Sequence, residues 1–401
     1  MSKTSQWIAK EAKVCAHNYF PLPVVLTRGK GEWVWDIQQK RYLDMMSAYS
    51  AVSLGHCHPR LLKALSEQAH QLAVVSRAFH TDKLYPLVEK LCRLTGMDMG
   101  LPMNSGAEAV ETALKAVRRF GYEKKGIPDN QAQIIVSKNN FHGRTISVIS
   151  FSSDKSYQQH FGPLTPGFIE IPFGDAQALK SAINPNTCAF LVEAIQGEAG
   201  IILPPKGWLK ECEKICRENK VLLIVDEIQT GLARTGKMFA FEHENVKPDG
   251  VILGKALGGG ILPISMFLAR KEVMEVFNPG SHGSTFGGNP LACHIGLEVL
   301  SIIEEEKLVQ KSAKLGDRLL EGLKSINHPI IKEVRGKGLF VGVEIDTNVV
   351  SARKVCEKLM ELGVLSKETH ETTIRFAPPL IIHEEALDFA ITEFEVALNA
   401  F

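Results

Sequence analysis

Val221-Leu222-Leu223-Ile224-Val225 runs straight into two carboxylates, Asp226 and Glu227, and Val251-Ile252-Leu253 runs into Gly254-Lys255-Ala256-Leu257-Gly258-Gly259-Gly260. Short apolar runs of this kind, rich in β-branched residues, fill buried parallel strands. In open α/β sheets, ligands bind beyond the carboxyl ends of the strands. One strand would deliver an acid to that edge and another a lysine, with only small residues around the lysine. The stretch therefore decides the fold class as α/β and points to chemistry at the sheet edge.

An amine and a carboxylate held there suit pyridoxal phosphate, which a lysine anchors as a Schiff base while an acid keeps its pyridine nitrogen protonated. A strand-end salt bridge beside a glycine turn would leave the same residues, so this stretch alone leaves both readings open. Upstream, Ala189–Glu193 is another buried-type strand ending in an acid, and it leads into Gln196-Gly197-Glu198. Gly207–Lys220 has the pattern of a crossover helix before the central strand. Strand, helix and strand in succession argue for a parallel sheet.

Ile134–Val136 and Ser147–Phe151 are expected to be strands, with Asn140-Phe141-His142-Gly143-Arg144-Thr145 between them. Phe141 offers a stacking face for a flat ring, and Arg144 a two-pronged clamp for a carboxylate. In Met103-Asn104-Ser105-Gly106-Ala107-Glu108, Ser105 and Glu108 have capping-box spacing, so a helix is predicted from Ser105 to about Phe120. Its unpaired N–H groups would suit a phosphate, with Gly106 allowing close approach; an ordinary capped helix explains the spacing equally. Ser281-His282-Gly283-Ser284-Thr285-Phe286-Gly287-Gly288 sets hydroxyls among glycines, as a phosphate site or a flexible loop would.

The first part of the chain reads as a hairpin, Glu32–Asp36 and Lys40–Met46, after an extended Asn18–Pro23 and before an irregular Ser47–Val52. Tyr19 and Tyr49 flank it, placed either to line a pocket mouth or simply to pack. Helices are expected from His58-Pro59 to Gln71, over Leu84–Leu94, Leu291–Glu306 and Gln310–Leu323. Strands Leu339–Ile345 and Thr373–Phe376, with helices Ala352–Leu362 and Glu384–Leu398, make a smaller α+β unit.

The balance of 46 basic against 45 acidic residues, net +1 over 401 residues, argues against nucleic acid or an anionic membrane as partner. No apolar run reaches membrane-spanning length, and Met1–Val14 has no apolar signal region. Eight scattered cysteines suit a reducing, cytoplasmic setting. Three patterns carry little weight. His56-Cys57-His58 points its neighbours to opposite sides and has no second cluster to complete a metal site. Cys212 and Cys216 fit a half-buried helix face. Gly231 to Lys237 imitates a nucleotide phosphate loop, but Met238 stands where magnesium binding needs a hydroxyl.

Taken together, several blocks in order resemble the class III pyridoxal-phosphate aminotransferases, in particular the members that act on ornithine. They are His17–Pro23, Ser50–Pro59, Phe141–Thr145, Gln196–Gly200, Asp226–Gly231 and Gly254–Gly260. The resemblance covers nearly the whole chain from about Asn18. It implies the fold type I of these transferases: a large domain with a mostly parallel mixed sheet flanked by helices, plus a smaller α+β domain. The implied division is an N-terminal segment, 1–50, packing with the small domain; a large cofactor domain, 51–290; and a small domain, 291–401.

The resemblance also implies pyridoxal 5′-phosphate as cofactor. Lys255 would bind it covalently and then shuttle the proton. Asp226 would pair with the ring nitrogen, Gln229 with the ring hydroxyl, and Phe141 would stack. Ser105, Gly106 and Ala107 would hold the phosphate, with Thr285 and Ser284 reaching it from a second subunit of a homodimer. L-ornithine would place its carboxylate on Arg144, its α-amine near Tyr19 and its chain along Tyr49. Glu198 would mask Arg375 until 2-oxoglutarate takes that arginine. The implied products are glutamate and glutamate 5-semialdehyde, which cyclises to 1-pyrroline-5-carboxylate. An N-acetylornithine or 4-aminobutyrate aminotransferase is the alternative, and an aminomutase a further one. Two departures from the commoner pattern are His142, where tryptophan is frequent, and Ala194, where proline is frequent.

Overall fold

The computed structural model describes residues 2–401. The apolar run before Asp226 forms the strand Leu222–Asp226, buried along its whole length. It pairs in parallel with Thr187–Glu193 on one side and Gly250–Leu253 on the other. Seven strands make the sheet, in the order Met99–Met103, Ser265–Ala269, Gly250–Leu253, Leu222–Asp226, Thr187–Glu193, Gln133–Ser137 and Phe168–Ile171. Only Ser265–Ala269 runs against the rest, being antiparallel to both neighbours. Strands buried on both faces need no alternation, which is why their sequences are continuous apolar runs.

Helix Gly106–Lys125 covers one face of this sheet with Ala109, Val110, Ala113, Leu114 and Val117, spaced as one helical stripe. Ser105 caps it, and the reciprocal bond from Glu108 completes a capping box. Helix Trp208–Glu218 buries Cys212 and Cys216 in the core on the opposite side. One expected strand is absent: Ser147–Phe151 belongs instead to a short helix, Ile146–Ile149. Thr145 caps it by accepting from the Val148 amide at 3.3 Å, and the Ser150 hydroxyl donates back to the Ile146 carbonyl at 2.7 Å. Local side-chain bonds offered the backbone an alternative to a ladder.

A second, antiparallel sheet follows the order Ile331–Gly336, Val341–Ile345, Thr373–Phe376, Lys367–Thr369. A third holds the early hairpin, Trp33–Asp36 and Arg41–Asp44, extended by Leu26–Lys30 and closed by Val364–Leu365 in parallel with Arg41–Asp44. Arg353 donates to the carbonyls of Phe20 at 3.0 Å and Pro21 at 2.7 Å. The beginning of the chain is thus tied to its end. The long helix Pro290–Glu305 packs against Pro59–Gln71 and Leu84–Thr95. Between hairpin and first large helix, Ser47, Ala48, Tyr49 and Ser50 all have positive φ, from 41° to 73°. Among the described residues no helix is long and apolar enough to cross a membrane.

Candidate active site

Two neighbouring strands end in carboxylates that lie in register, Glu193 opposite Asp226. Asp226 accepts from the Ile228 amide at 2.9 Å and from His142 Nδ1–H at 2.7 Å. Burial alone would disfavour charge on His142, but the bond to Asp226 and the charges of Asp226 and Glu193 hold its pKa above the ordinary histidine value. Glu193 accepts from the Phe141 and Gly197 amides, both at 3.0 Å. Its burial pushes it up to about 7.

Lys255 stands just past strand Gly250–Leu253, with φ at 41°. A left-handed lysine is strained by on the order of 1 kcal/mol, a cost that surrounding structure must hold in place. Burial lowers the pKa of its amine, against the upward pull of Glu198 and Asp226. Lysine and aspartate face one cavity of about 170 Å³, whose walls include Gly106, Ala107, Phe141 and Gln229. At Gly106 an added Cβ would come 3.0 Å from Ile228 Cδ1, so a side chain here would press on Ile228 where the helix start borders the cavity. The Ser105 hydroxyl is engaged with Glu108, 3.0 Å away.

Beside this cavity lies another of about 190 Å³, bordered by Phe141, Tyr157, Glu198 and His370. The Arg144 guanidinium stacks on Tyr157 at 3.6 Å and lies 5.5 Å from the centre of Phe141. Glu198 Oε1 accepts from Arg375 at 2.7 Å and from Gln229 Nε2 at 3.2 Å. Burial would raise the Glu198 pKa, but Arg375 and Lys255 hold it below the ordinary carboxylate value. Tyr49 lies face-on to Arg375, at 4.7 Å. Tyr19 is 75% exposed and shares an apolar groove with Tyr49.

The structure thus brings Asp226, Lys255, Gln229, Phe141, Gly106 and Ala107 around one cavity, with Glu198, Arg375, Tyr49 and Arg144 next to it. Ser284 is tied to its own chain, accepting from Asn104 Nδ2 at 2.9 Å, while Thr285 is exposed. Tyr157 and His370 escaped the sequence reading, because neither lies in a periodic element or a glycine-framed turn. The weakly weighted patterns also have places. His56 pairs with Asp44 and His58 with Glu306, in separate ion pairs. The 231–237 loop buries Arg234 completely.

The donors present fit pyridoxal phosphate. Gln229 lines the cavity with its Oε1 buried and unpaired, ready for a hydroxyl donor. Asp226 at a strand end can face a protonated ring nitrogen, and a capped helix start without a side chain at Gly106 can face a phosphate. Fold and site together define a lysine-anchored transferase of fold type I. A family model, aminotransferase class-III, matches residues 14–398, and the chain belongs to that family. It is 59% identical over 391 residues to an ornithine aminotransferase of Geobacillus sp. (strain WCH70), covering 98% of each. An ornithine aminotransferase structure from Toxoplasma gondii, with partial occupancy of pyridoxal phosphate at its active site, superposes with a TM-score of 0.98 at 44% identity, covering 99% of this chain and 94% of that one. An acetylornithine aminotransferase structure from Elizabethkingia anophelis matches at 0.90 and 46%, covering 100% of both.

Proposed function

We propose that this chain, a pyridoxal 5′-phosphate-dependent aminotransferase, moves the δ-amino group of L-ornithine to 2-oxoglutarate. The products are glutamate and glutamate 5-semialdehyde, which closes to 1-pyrroline-5-carboxylate. The observation that carries this reading is the Glu198–Arg375 pair beside the lysine cavity. A carboxylate that neutralises an arginine lets a diamine enter without offering its α-carboxylate a second anchor, and the pair can open for a dicarboxylic oxo acid.

When bound, the cofactor supplies an electron sink for the charge left on the carbon that bears the transferred nitrogen. The rest is the work of this chain's own side chains. Asp226, oriented by His142 and the Ile228 amide, would keep the ring nitrogen protonated. Lys255, whose pKa burial lowers, would take the proton from the reacting carbon at its Nζ and return it further along. Gln229 would meet the ring hydroxyl and Phe141 would cover the ring. Ser105, Gly106 and Ala107 would hold the phosphate. Arg144, preorganised on Tyr157, takes the ornithine carboxylate, with Tyr19 at the α-amine and Tyr49 along the chain.

A second copy of the chain completes the site through Thr285. Phe286 (54%) and Phe79 (66%) are exposed aromatic side chains of the kind a homodimer interface covers. Residues 51–290 make the cofactor domain and 291–401 the small domain with 1–50, helix Pro290–Glu305 lying across the seam. The eight cysteines are free thiols, in keeping with a cytoplasmic enzyme.

The relative that acts on acetylornithine favours N-acetylornithine as the second reading. A donor comparison with purified holoenzyme and 2-oxoglutarate separates them, using ornithine, N-acetylornithine and 4-aminobutyrate with trapping of the cyclic imine. Ornithine should exceed the others by at least about tenfold in kcat/KM, a difference of about 1.4 kcal/mol. Preference for N-acetylornithine would overturn the pocket assignment and leave the lysine chemistry intact.

A further inference from the structure

Arg234 is fully buried, and among the described residues its guanidinium bonds to carbonyls and hydroxyls rather than to a carboxylate. Its guanidinium donates to the Leu339 carbonyl at 2.9 Å, the Pro378 carbonyl at 2.6 Å and Ser53 Oγ at 2.9 Å, with Ser47 Oγ at 3.5 Å. Asp44 is the acid it feels through space, and that carboxylate is already committed to His56 and to the Met46 and Ser47 amides. Burial pushes the guanidinium pKa down to about 9, so it remains charged at neutral pH. A lone buried charge is expensive, and packing alone would favour an apolar residue. Its presence here asks for a specific use.

The groups it holds supply one. Ser47 and Ser53 bracket the left-handed turn that carries Tyr49, and Pro378 follows the strand that carries Arg375. Further bonds run the same way: Ser47 Oγ to the Ala377 carbonyl at 2.5 Å, and the Leu380 amide to the Ser53 carbonyl at 2.7 Å. Four successive left-handed residues that are not glycine cost roughly 1 kcal/mol or more each, so the turn persists only because neighbours fix it. The Arg234 loop is itself locked, because a Cβ on Gly338 would come 2.4 Å from the Thr235 carbonyl carbon.

We propose that Arg234 is a positioning residue for acceptor recognition, clamping the Tyr49 turn onto the Arg375 strand end so that Arg375 presents a fixed face to a dicarboxylic oxo acid. This rests on the acceptor role given to Arg375 above. Arg234 touches neither substrate nor cofactor; it acts through Tyr49 and Arg375.

Arg234→Lys keeps the charge and loses the fork that spans Ser53 and Pro378. In the holoenzyme, the KM for 2-oxoglutarate should rise about tenfold with kcat changed less than about threefold. Calorimetric affinity for glutarate, a dicarboxylate that cannot react, should fall by a similar factor, while the KM for ornithine moves less than about twofold. Glutarate affinity and oxo-acid KM both within twofold of the parent enzyme would overturn the proposal, as would an equal loss for ornithine. Should Arg234→Lys fail to fold, Ser53→Ala tests the same clamp and should weaken glutarate about threefold; no change there overturns it too. Arg375→Ala is the control. If it leaves glutarate binding intact, the acceptor reading itself fails; if it abolishes binding while Arg234→Lys does nothing, only the clamp fails.

Discussion

Two acid–base pairs lie side by side in this site, and they are built differently. Asp226 and His142 are both deeply buried at 2.7 Å, with Asp226 also bonded to the Ile228 amide and set in the ladder of the central sheet. Glu198 and Arg375 also meet at 2.7 Å, but Glu198 stands in a loop with Gly197 and Gly200 on either side, and Arg375 comes from the other sheet. Asp226 is fixed in its strand, and His142, from the loop after strand Gln133–Ser137, is sealed against it with no exposed side-chain surface. A pair shared between a glycine-flanked loop and a separate sheet can part when a competing carboxylate arrives. Permanence suits a group that must stabilise the same charge in every turnover, and separability suits one that must admit two substrates in turn.

The largest effect should follow from breaking the permanent pair. Asp226→Ala leaves His142 buried beside Glu193 with no acid at the ring nitrogen, and kcat should fall by about a thousandfold, the scale expected for a preorganised charge. Retention of more than a tenth of the activity would remove Asp226 from the mechanism. A smaller and different effect is expected from the separable pair. Glu198→Ala exposes Arg375, so ornithine can bind reversed, with its α-carboxylate on that arginine. Reaction at the α-amine gives 5-amino-2-oxopentanoate, which closes to 1-pyrroline-2-carboxylate, and the ratio of that imine to 1-pyrroline-5-carboxylate should rise about tenfold. An unchanged ratio would mean that the pair does not govern orientation.

How much of this contrast could be read from sequence follows from the range of the interactions. Asp226 and Lys255 were legible because each ends a short apolar run, and the Ser105 cap because its partner Glu108 is one helical turn away. Glu198 and Arg375 are joined across sheets, and only the family resemblance could pair them. Arg234 looked like part of a failed phosphate loop, since nothing local announces that a guanidinium will be sealed among Leu339, Pro378 and Ser53. Ser147–Phe151 holds the β-branched and aromatic residues that strands favour, yet Thr145 and Ser150 bond the backbone into a short helix. The antiparallel strand Ser265–Ala269 follows a glycine-rich turn with no boundary of its own, so its apolar residues gave no sign of direction.

An effect on stability rather than turnover concerns a carboxylate outside both pairs. Glu227 follows Asp226 directly, is buried, accepts from the Thr230 hydroxyl at 2.5 Å and the Phe241 amide at 2.9 Å, and forms no salt bridge among the described residues. Burial raises its pKa from 4.5 to about 7. In the folded state it therefore keeps a proton that the unfolded chain releases, so its stabilising contribution is complete below pH 4.5 and lost as pH climbs through about 7. A shift of this size bounds the loss at roughly 3 kcal/mol. Glu227→Gln keeps the shape and the acceptor for the Phe241 amide but cannot ionise. Urea unfolding of the two proteins should give similar stabilities at about pH 5, with the variant losing less by about pH 8. Parallel curves over that range would mean that Glu227 is ionised in the fold like an ordinary carboxylate.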